Sequence, residues 1–381
     1  MEAYLDNSAT TCVYQETADL VCDLMVNHYG NPSAMHQKGV EAEQYIRTAQ
    51  ETLAKILKVK EKEIFFTSGG TESDNWALVG TAMANKRTGN HIITSAIEHP
   101  AVSAPLAFLE EQGFRITRLP VNKEGLVDVN ELEEAITPET ILVSIMYVNN
   151  EIGAVEPIGE IGRRIKAKNP KTYFHVDAIQ AFGKYRIYPK RMGIDMLSVS
   201  GHKIHAPKGI GALYLSDRLV QAFRPPYLGG EQERGLRPGT ENLPYAMGLA
   251  AAATRLAKTM KSRDTAMKAL NQRLRDGLKA FPEVELNSPE NAVPEVLNFS
   301  EMCIKSETML AWLAKAQVYV SSASACGRGQ PSHTLAAMGK DPLAIDTAIR
   351  VSFCGDNTPE DVDAFLNRFE DGMKHLQKIR K

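Results

Sequence analysis

The sequence predicts an α/β protein with a large domain, built on a mostly parallel seven-stranded sheet, and a smaller α+β domain. Between about residues 60 and 215, short apolar segments alternate with longer segments, most of them of helical length. The apolar segments are EIFFTS, HIITSA, FRITRLPV, ILVSIMYV, YFHVDA, DMLSVS and GALYLS. Such alternation is typical of a parallel sheet covered by helices on both faces. Ligands of these sheets bind beyond the carboxyl ends of the strands, so polar residues there are the functional candidates.

The rest of the chain predicts the second domain. At 381 residues the chain exceeds what one hydrophobic core usually supports. An alanine-rich segment at about 241–280 predicts one long helix, continuous or kinked, with Pro244 in its first turn. Beyond it, helices mix with shorter strands in EVELNS, EVLNFS, VYVSS and AIRVSF. We therefore expect a large domain over 16–260 and a small domain that combines 1–15 with 261–381.

Composition and charge exclude several classes of function. The 44 Lys and Arg residues nearly balance the 46 Asp and Glu residues, so the net charge of −2 gives no basic surface for nucleic acid or membrane. The longest apolar runs are too short to span a bilayer, and the N-terminus does not resemble a secretory signal. The five cysteines form no CxxC pair and no metal-like cluster. We expect a soluble cytoplasmic enzyme with free thiols.

The span SVSGHKIHAPKG, residues 198–209, places Lys203 just beyond a strand that ends at about Ser200. A lysine in this position can form a Schiff base with a carbonyl cofactor if burial lowers its pKa. Taken alone, a solvated loop lysine is the more common explanation. Residues at the ends of other strands change the interpretation.

Three other strand ends carry complementary groups. YFHVDA ends near Asp177, with Gln180 close by, and a carboxylate can pair with a protonated pyridine nitrogen. FFTSGGTESDN places Gly70 and Thr71 between a strand and a helix, where amides and a hydroxyl can bind phosphate. His99 follows HIITSA and could stack on a flat ring and move protons. Each signal is weak alone, but with the lysine they supply the four functions that pyridoxal 5′-phosphate (PLP) needs. A nucleotide-binding domain would not explain the lysine or the aspartate.

A lone thiol lies in SSASACGRG, residues 321–329. Cys326 has no apolar neighbour there to anchor it in a core, and Arg328 is two positions away. Structural cysteines are usually buried and inert, whereas reactive ones lie in exposed, electropositive surroundings. The small residues around the thiol favour a flexible tether.

From end to end the sequence resembles the cysteine desulfurases of the class V aminotransferase superfamily, in the branch that serves iron–sulfur and nitrogenase maturation. The matching motifs are YLDNSATT (4–11), GNPSAMH (30–36), FTSGGTESDN (66–75), SAIEHPAV (95–102), VNNEIG (148–153), HVDAIQ (175–180), SGHK (200–203), RPGTEN (237–242), SSASAC (321–326) and AIRVSF (348–353). The resemblance implies a PLP-dependent transferase of fold type I, with PLP as its cofactor.

The resemblance also implies roles for single residues around the cofactor ring. Lys203 would carry PLP as a Schiff base, Asp177 would pair with the ring nitrogen, and His99 would stack on the ring and move protons. Gln180 and Asn150 would contact the region of the phenolic oxygen.

Further residues would bind the phosphate and the substrate. The implied phosphate ligands are Gly70, Thr71, Ser200 and His202. Thr240 would reach the phosphate from a second subunit, which would make the protein at least a homodimer. Arg350, with Asn150, would bind the substrate carboxylate through a bidentate pair.

The implied reaction converts L-cysteine to L-alanine and leaves its sulfur on Cys326 as a persulfide. The sulfur would then pass to an acceptor such as an iron–sulfur scaffold protein, or supply thiocofactors or tRNA. Only GRGQ separates Cys326 from Pro331, fewer residues than in relatives of the long-loop type. A short tether restricts reach, so we expect the acceptor to approach closely.

Two other functions stay open from the sequence alone. A selenocysteine lyase, or another class V PLP lyase, would share the cofactor site. A non-catalytic scaffold would keep the fold and use the short loop for docking. Alanine production that depends on Cys326 would separate the first from a desulfurase, and the absence of a yellow PLP chromophore would favour the second.

Overall fold

The computed structural model describes residues 2–220, 223–322 and 331–379, and these parts contain twelve strands and fourteen α-helices. The strands are β1 (Ala3–Tyr4), β2 (Ile64–Thr67), β3 (His91–Ser95), β4 (Arg115–Leu119), β5 (Thr140–Met146), β6 (Tyr173–Asp177), β7 (Met196–Ser200), β8 (Gly211–Leu215), β9 (Glu285–Leu286), β10 (Val296–Ser300), β11 (Val318–Tyr319) and β12 (Ala348–Ser352). The helices are α1 (Gln15–Asn27), α2 (Gln37–Leu57), α3 (Gly70–Asn75), α4 (Thr81–Asn85), α5 (Pro100–Glu111), α6 (Val129–Ala135), α7 (Ile158–Lys168), α8 (Pro189–Met192), α9 (Asp217–Val220), α10 (Leu243–Leu278), α11 (Ser306–Ala314), α12 (His333–Ala337), α13 (Pro342–Asp346) and α14 (Pro359–His375). A π-helical turn, Trp76–Gly80, joins α3 to α4.

The central sheet has seven strands in the order β2-β8-β7-β6-β5-β3-β4. Only β8 runs antiparallel to its neighbours, so the carboxyl ends of the other six strands meet at one edge. All seven strands predicted from the sequence are present, and the predicted mostly parallel α/β sheet is confirmed. The sheet therefore brings several distant loops to one place.

Alternate residues of the central strands pack on opposite faces of the sheet. Ile92 and Leu142 belong to one hydrophobic cluster, whereas Ile93 and Val143, the next residues along, belong to another. Successive side chains of a strand point to opposite faces, so apolar residues at consecutive positions indicate a strand covered on both sides. Burial of both faces of the sheet explains why these strands appear in the sequence as continuous apolar runs.

The long helix predicted from the alanine-rich sequence is present as α10, and of the two forms left open, continuous or kinked, it is continuous over 36 residues. Asn242 caps its start by accepting a hydrogen bond from the Tyr245 N–H, and Pro244 lies in the first turn. The first half of the helix, through Leu256, packs in the cluster on one face of the central sheet. The second half, from Met267, packs in a separate cluster with residues of β10, β12 and α14.

The cluster around the second half of α10 also includes the first residues of the chain. Ala3 and Leu5 are fully buried in it, and β1 pairs in parallel with β11. A three-stranded antiparallel sheet, β12-β10-β9, supplies its other strands. The first residues of the chain and the strand that carries Arg350 therefore lie on the same side of the site described below. No helix within the described ranges is long and apolar enough to cross a membrane.

Candidate active site

A cavity of about 160 Å³ opens at the carboxyl edge of the central sheet. Loops that follow β2, β3, β5, β6 and β7 form most of its wall, and Arg350 of β12 closes it from the other side. Ten of the twelve site residues predicted from the sequence line it: Gly70, Thr71, His99, Asn150, Asp177, Gln180, Ser200, His202, Lys203 and Arg350. Thr240 is exposed and does not line this cavity. Cys326 lies outside the described residues.

Lys203 ends a short 3₁₀ turn, Gly201–Lys203, directly after β7. Its Nζ donates hydrogen bonds to the carbonyl oxygens of Ser8 (2.5 Å) and Ala9 (2.8 Å). These two carbonyls hold the amine at the cavity. Sequence reasoning did not assign them, although both residues lie in the YLDNSATT motif that contributed to the resemblance.

Asp177 ends β6, and its carboxyl group is buried in the cavity wall. Its Oδ1 accepts a hydrogen bond from the Ile179 N–H at 2.9 Å. Burial raises the pKa of Asp177 to about 6, although the bond from Ile179 and the charge of Lys203 both act to lower it. A cationic partner such as a protonated pyridine nitrogen would stabilise this buried carboxylate.

Further titratable groups are buried behind Asp177. Burial is the main reason that the pKa of Glu98 rises to about 8 and that the pKa of Asp74 rises well above its ordinary value; the charge of Asp177 adds to both. Burial also lowers the pKa of His175 to about 3. Glu98 and His175 are therefore neutral at pH 7, and burial disfavours the charged form of Asp74. The sequence did not indicate this buried cluster, because Asp74, Glu98 and His175 come from three separate segments of the chain.

The loop between β2 and α3 provides backbone amides at the cavity. Gly69 has a φ of +154°, a conformation that favours glycine. At Gly70, an added Cβ would lie 2.2 Å from Cδ1 of Ile179, so a side chain here would have to displace Ile179. Ser200 and His202 face the same loop from the end of β7, and the resulting cradle offers N–H and O–H donors for a phosphate.

His99 caps the start of α5 and lines the cavity. Its Nδ1 accepts a hydrogen bond from the Ala101 N–H at 3.1 Å, so a neutral ring carries its hydrogen on Nε2. Burial, together with the charges of Lys203 and His333, lowers the pKa of His99 to about 4. The imidazole is therefore neutral near pH 7 and suited to packing against an aromatic ring.

Arg350 is 1% exposed and makes two hydrogen bonds at the cavity. Nη2 donates to Oδ1 of Asp6 at 2.8 Å, and Nη1 donates to the carbonyl oxygen of Asn150 at 2.9 Å. Its Nε is buried and has no hydrogen-bond partner in the described parts of the chain. A buried donor without a partner costs free energy, so a carboxylate that enters the cavity has a donor to satisfy.

The residues on either side of 323–330 are attached to the cavity wall. Ser321 exchanges backbone hydrogen bonds with Arg350. Ser332 donates from its hydroxyl to the Glu151 carboxylate, and His333 contacts the Glu98 carbonyl oxygen at 3.0 Å. Both ends of the segment that carries the predicted thiol are thus anchored beside the site.

The residues of the cavity fit PLP. They combine a primary amine, a buried carboxylate, a neutral imidazole and an amide-lined cradle that is closely packed at Gly70. An aldehyde, a pyridine nitrogen, a flat ring and a phosphate are the groups that match these four features.

The class-V aminotransferase family model matches residues 3–365. The chain belongs to this family. It is 42% identical to a cysteine desulfurase IscS from Clostridium botulinum, over 96% of this chain and 92% of the relative. Its structure is similar to that of a NifS-like protein, with a TM-score of 0.94 at 37% identity, covering 99% of this chain and 100% of that one. It is also similar to SspA, solved in complex with cysteine, with a TM-score of 0.82 at 34% identity over 93% and 99% of the two chains.

These relatives confirm the predicted family, the α/β fold, PLP as the cofactor and cysteine desulfurase as the activity.

Proposed function

We propose that the cavity performs the cysteine desulfurase reaction with the residue roles predicted from the sequence. Lys203 holds PLP through its amine, Asp177 pairs with the ring nitrogen, and the loop at Gly70 holds the phosphate. The observation that carries the proposal is the convergence of ten predicted residues on one cavity. Bound PLP supplies an electron sink for the bonds broken at the substrate.

Arg350 and His99 act on the substrate. The Nε of Arg350, which has no partner among the described residues, and Nη2, which also donates to Asp6, can donate to the two oxygens of the cysteine carboxylate in a bidentate pair. His99 lies on the same cavity with a neutral ring, so it packs on the cofactor and donates a hydrogen bond from its Nε2–H. This arrangement orients L-cysteine with its side chain free to meet a nucleophile.

Cys326 is the proposed nucleophile. Its thiolate attacks the sulfur of the bound cysteine, an S–S bond forms, and the Cβ–S bond breaks. The electron pair of the broken bond remains with the carbon fragment, which takes up a proton and leaves as L-alanine. Cys326 is five positions from Ser321, which pairs with Arg350, and an extended chain of that length reaches about 17 Å. The anchor points on both sides of the segment support this assignment.

Mass spectrometry and alanine release test the proposal together. After exposure to L-cysteine, we expect one added sulfur atom on the peptide with Cys326, and alanine release that stops in Cys326→Ala. Cys303→Ala is the matched control, because Cys303 is a free and partly exposed thiol away from the cavity. Full alanine release by Cys326→Ala would rule out the persulfide and favour a lyase that eliminates sulfur without a protein thiol.

We propose a homodimer in which Thr240 serves the phosphate site of the second subunit. Large apolar side chains are exposed at the end of α1 and the start of α2, and in the segment that precedes Thr240: Met25, Val26, Tyr29, Met35, Val40, Tyr227 and Leu228. Apolar surface of this kind typically marks a protein interface. Mixing Thr240→Ala with Lys203→Ala tests this, because a hybrid dimer keeps one site with both native residues and regains part of the activity. No recovery in proven hybrids would refute the shared site.

We further propose a cytoplasmic location and a sulfur-acceptor protein, such as an iron–sulfur scaffold, as the partner. The described cysteines are all free, which agrees with a reducing compartment. The short segment around Cys326 requires the acceptor to come close to the cavity mouth. Transfer of radiolabelled sulfur from the loaded protein to a purified scaffold, with no transfer from Cys326→Ala, is the direct test.

A further inference from the structure

Lys184 lies behind the cofactor cavity, outside the set of residues assigned so far. It follows Gln180 by four positions in the turn between β6 and α8, and it lines a second, smaller cavity on the far side of Lys203. Its Nζ donates hydrogen bonds to two atoms of Gln180, the backbone carbonyl oxygen at 2.8 Å and the side-chain Oε1 at 3.1 Å.

The contact with Lys184 determines which way the Gln180 amide faces. An ammonium group has only donors, so the amide atom that faces it must be the oxygen. The amide nitrogen then points the other way, and Nε2 donates to the Ser8 carbonyl oxygen at 3.0 Å. Because Nε2 carries two hydrogens, its second N–H can be donated into the cavity that Gln180 lines.

The charge of Lys184 strengthens this arrangement. Burial lowers the pKa of Lys184 to about 8, while the charge of Glu295 acts to raise it and those of Arg263 and Arg350 act to lower it. Glu295 is 6% exposed and lines the smaller cavity with Lys184 and Arg263. Lys184 therefore remains an ammonium at pH 7. A hydrogen bond from a cation polarises the amide and makes its N–H a better donor.

We propose that Lys184 is a positioning residue that fixes the Gln180 amide with its nitrogen toward the ring oxygen of the cofactor. The ring oxygen is an acceptor when ionised, so an amide nitrogen stabilises it and an amide oxygen repels it. Without Lys184, the Ser8 carbonyl would be the remaining hydrogen-bond partner of the amide among the described residues. The inference rests on the proposed function, in which Gln180 contacts the phenolic oxygen.

The test compares PLP with its 3-deoxy analogue, which lacks the ring hydroxyl, by spectroscopic titration of the cofactor-free protein. The measured quantity is the ratio of the two dissociation constants. In Lys184→Met the preference for PLP should fall about two- to tenfold, the range expected for one hydrogen bond. Affinity for the analogue should stay unchanged, which also shows that the variant is folded. Lys184→Arg keeps a cationic donor and should keep most of the preference.

A double variant separates positioning from a direct effect of charge. If Lys184 acts through Gln180, Lys184→Met should cause no further loss of preference in a Gln180→Ala background. An equal loss in that background, or an unchanged preference in Lys184→Met alone, overturns the inference. If Gln180→Ala itself leaves the preference unchanged, the proposed role of Gln180 fails and the inference fails with it.

Discussion

Glu98 gives a quantitative prediction, because its carboxyl group is fully buried behind the cofactor site. Oε1 accepts hydrogen bonds from the Ser95 hydroxyl at 2.7 Å and the Met146 N–H at 2.9 Å, whereas Oε2 has no partner among the described residues. Replacing Glu98 by Gln keeps the acceptor oxygen and puts an uncharged NH₂ group at the position of Oε2. The substitution removes the ionisable group and keeps the shape of the side chain.

The sign and size of the effect follow from the pKa of Glu98. Burial raises it from 4.5 to about 8, so between these values the folded chain keeps a proton that the unfolded chain loses. The stabilising contribution of Glu98 to the free energy of unfolding is fully present below pH 4.5 and declines as the pH rises toward 8. Between pH 5 and pH 7 the loss amounts to about 2 to 3 kcal/mol, at 1.36 kcal/mol per pH unit.

Thermal unfolding of the PLP-loaded protein at pH 5 and pH 7 measures this loss. The measured quantity is the Tm of Glu98→Gln minus the Tm of the native protein. This difference should be about 3 °C larger at pH 7 than at pH 5, which is the loss in free energy divided by the usual entropy of unfolding for a chain of this length. Glu285→Gln, at an exposed position of β9, is the control and should show no such change. A difference for Glu98→Gln that is the same at both pH values would refute the reasoning, because it would show that Glu98 is ionised in the folded protein.

Three further variants test other contacts of the site. Arg350→Lys keeps the charge but loses Nε and the planar fork, so KM for cysteine should rise about tenfold or more in a steady-state alanine assay; an unchanged KM would place the carboxylate elsewhere. Gly69→Ala forces a side chain onto a φ of +154° and should weaken PLP binding and cost about 1 to 3 kcal/mol. Its control is Gly159→Ala, where an added Cβ meets no atom within 4 Å; equal effects would contradict the role of the turn. Ser332→Ala removes a helix cap and the bond to Glu151, so persulfide formation should slow while PLP affinity stays the same; weaker PLP binding would point to a general defect.

Much of the central fold could be predicted because its cause is local. Apolar segments separated by helical lengths specify strands, and in a parallel sheet the ends of those strands meet at one edge. Asp177 ends a strand, and Lys203, His99 and Gly70 lie within four residues of the end of one, so their positions along the chain already implied that they converge. The domain division, Thr240 and Cys326 stay predictions.

The contacts missed by the sequence analysis join residues that are far apart in the chain. Lys203 is held by the Ser8 carbonyl, 195 positions away, and Arg350 by Asp6, 344 positions away. No local pattern encodes such pairs, because they form only when the first residues of the chain pack against the second cluster. The orientation of the Gln180 amide is also not evident from the sequence, since it depends on the contact between the Lys184 ammonium and Oε1 of Gln180.

The pairing of Arg350 with Asp6 has a consequence for turnover. A buried guanidinium with no counter-ion would attract any small carboxylate strongly, and L-alanine carries the same carboxylate as L-cysteine. Asp6 already neutralises part of that attraction, so in its proposed role Arg350 would bind both molecules less tightly than an unpaired arginine would. Under that proposal, the alanine left after sulfur removal would dissociate readily, and the next cysteine would take its place.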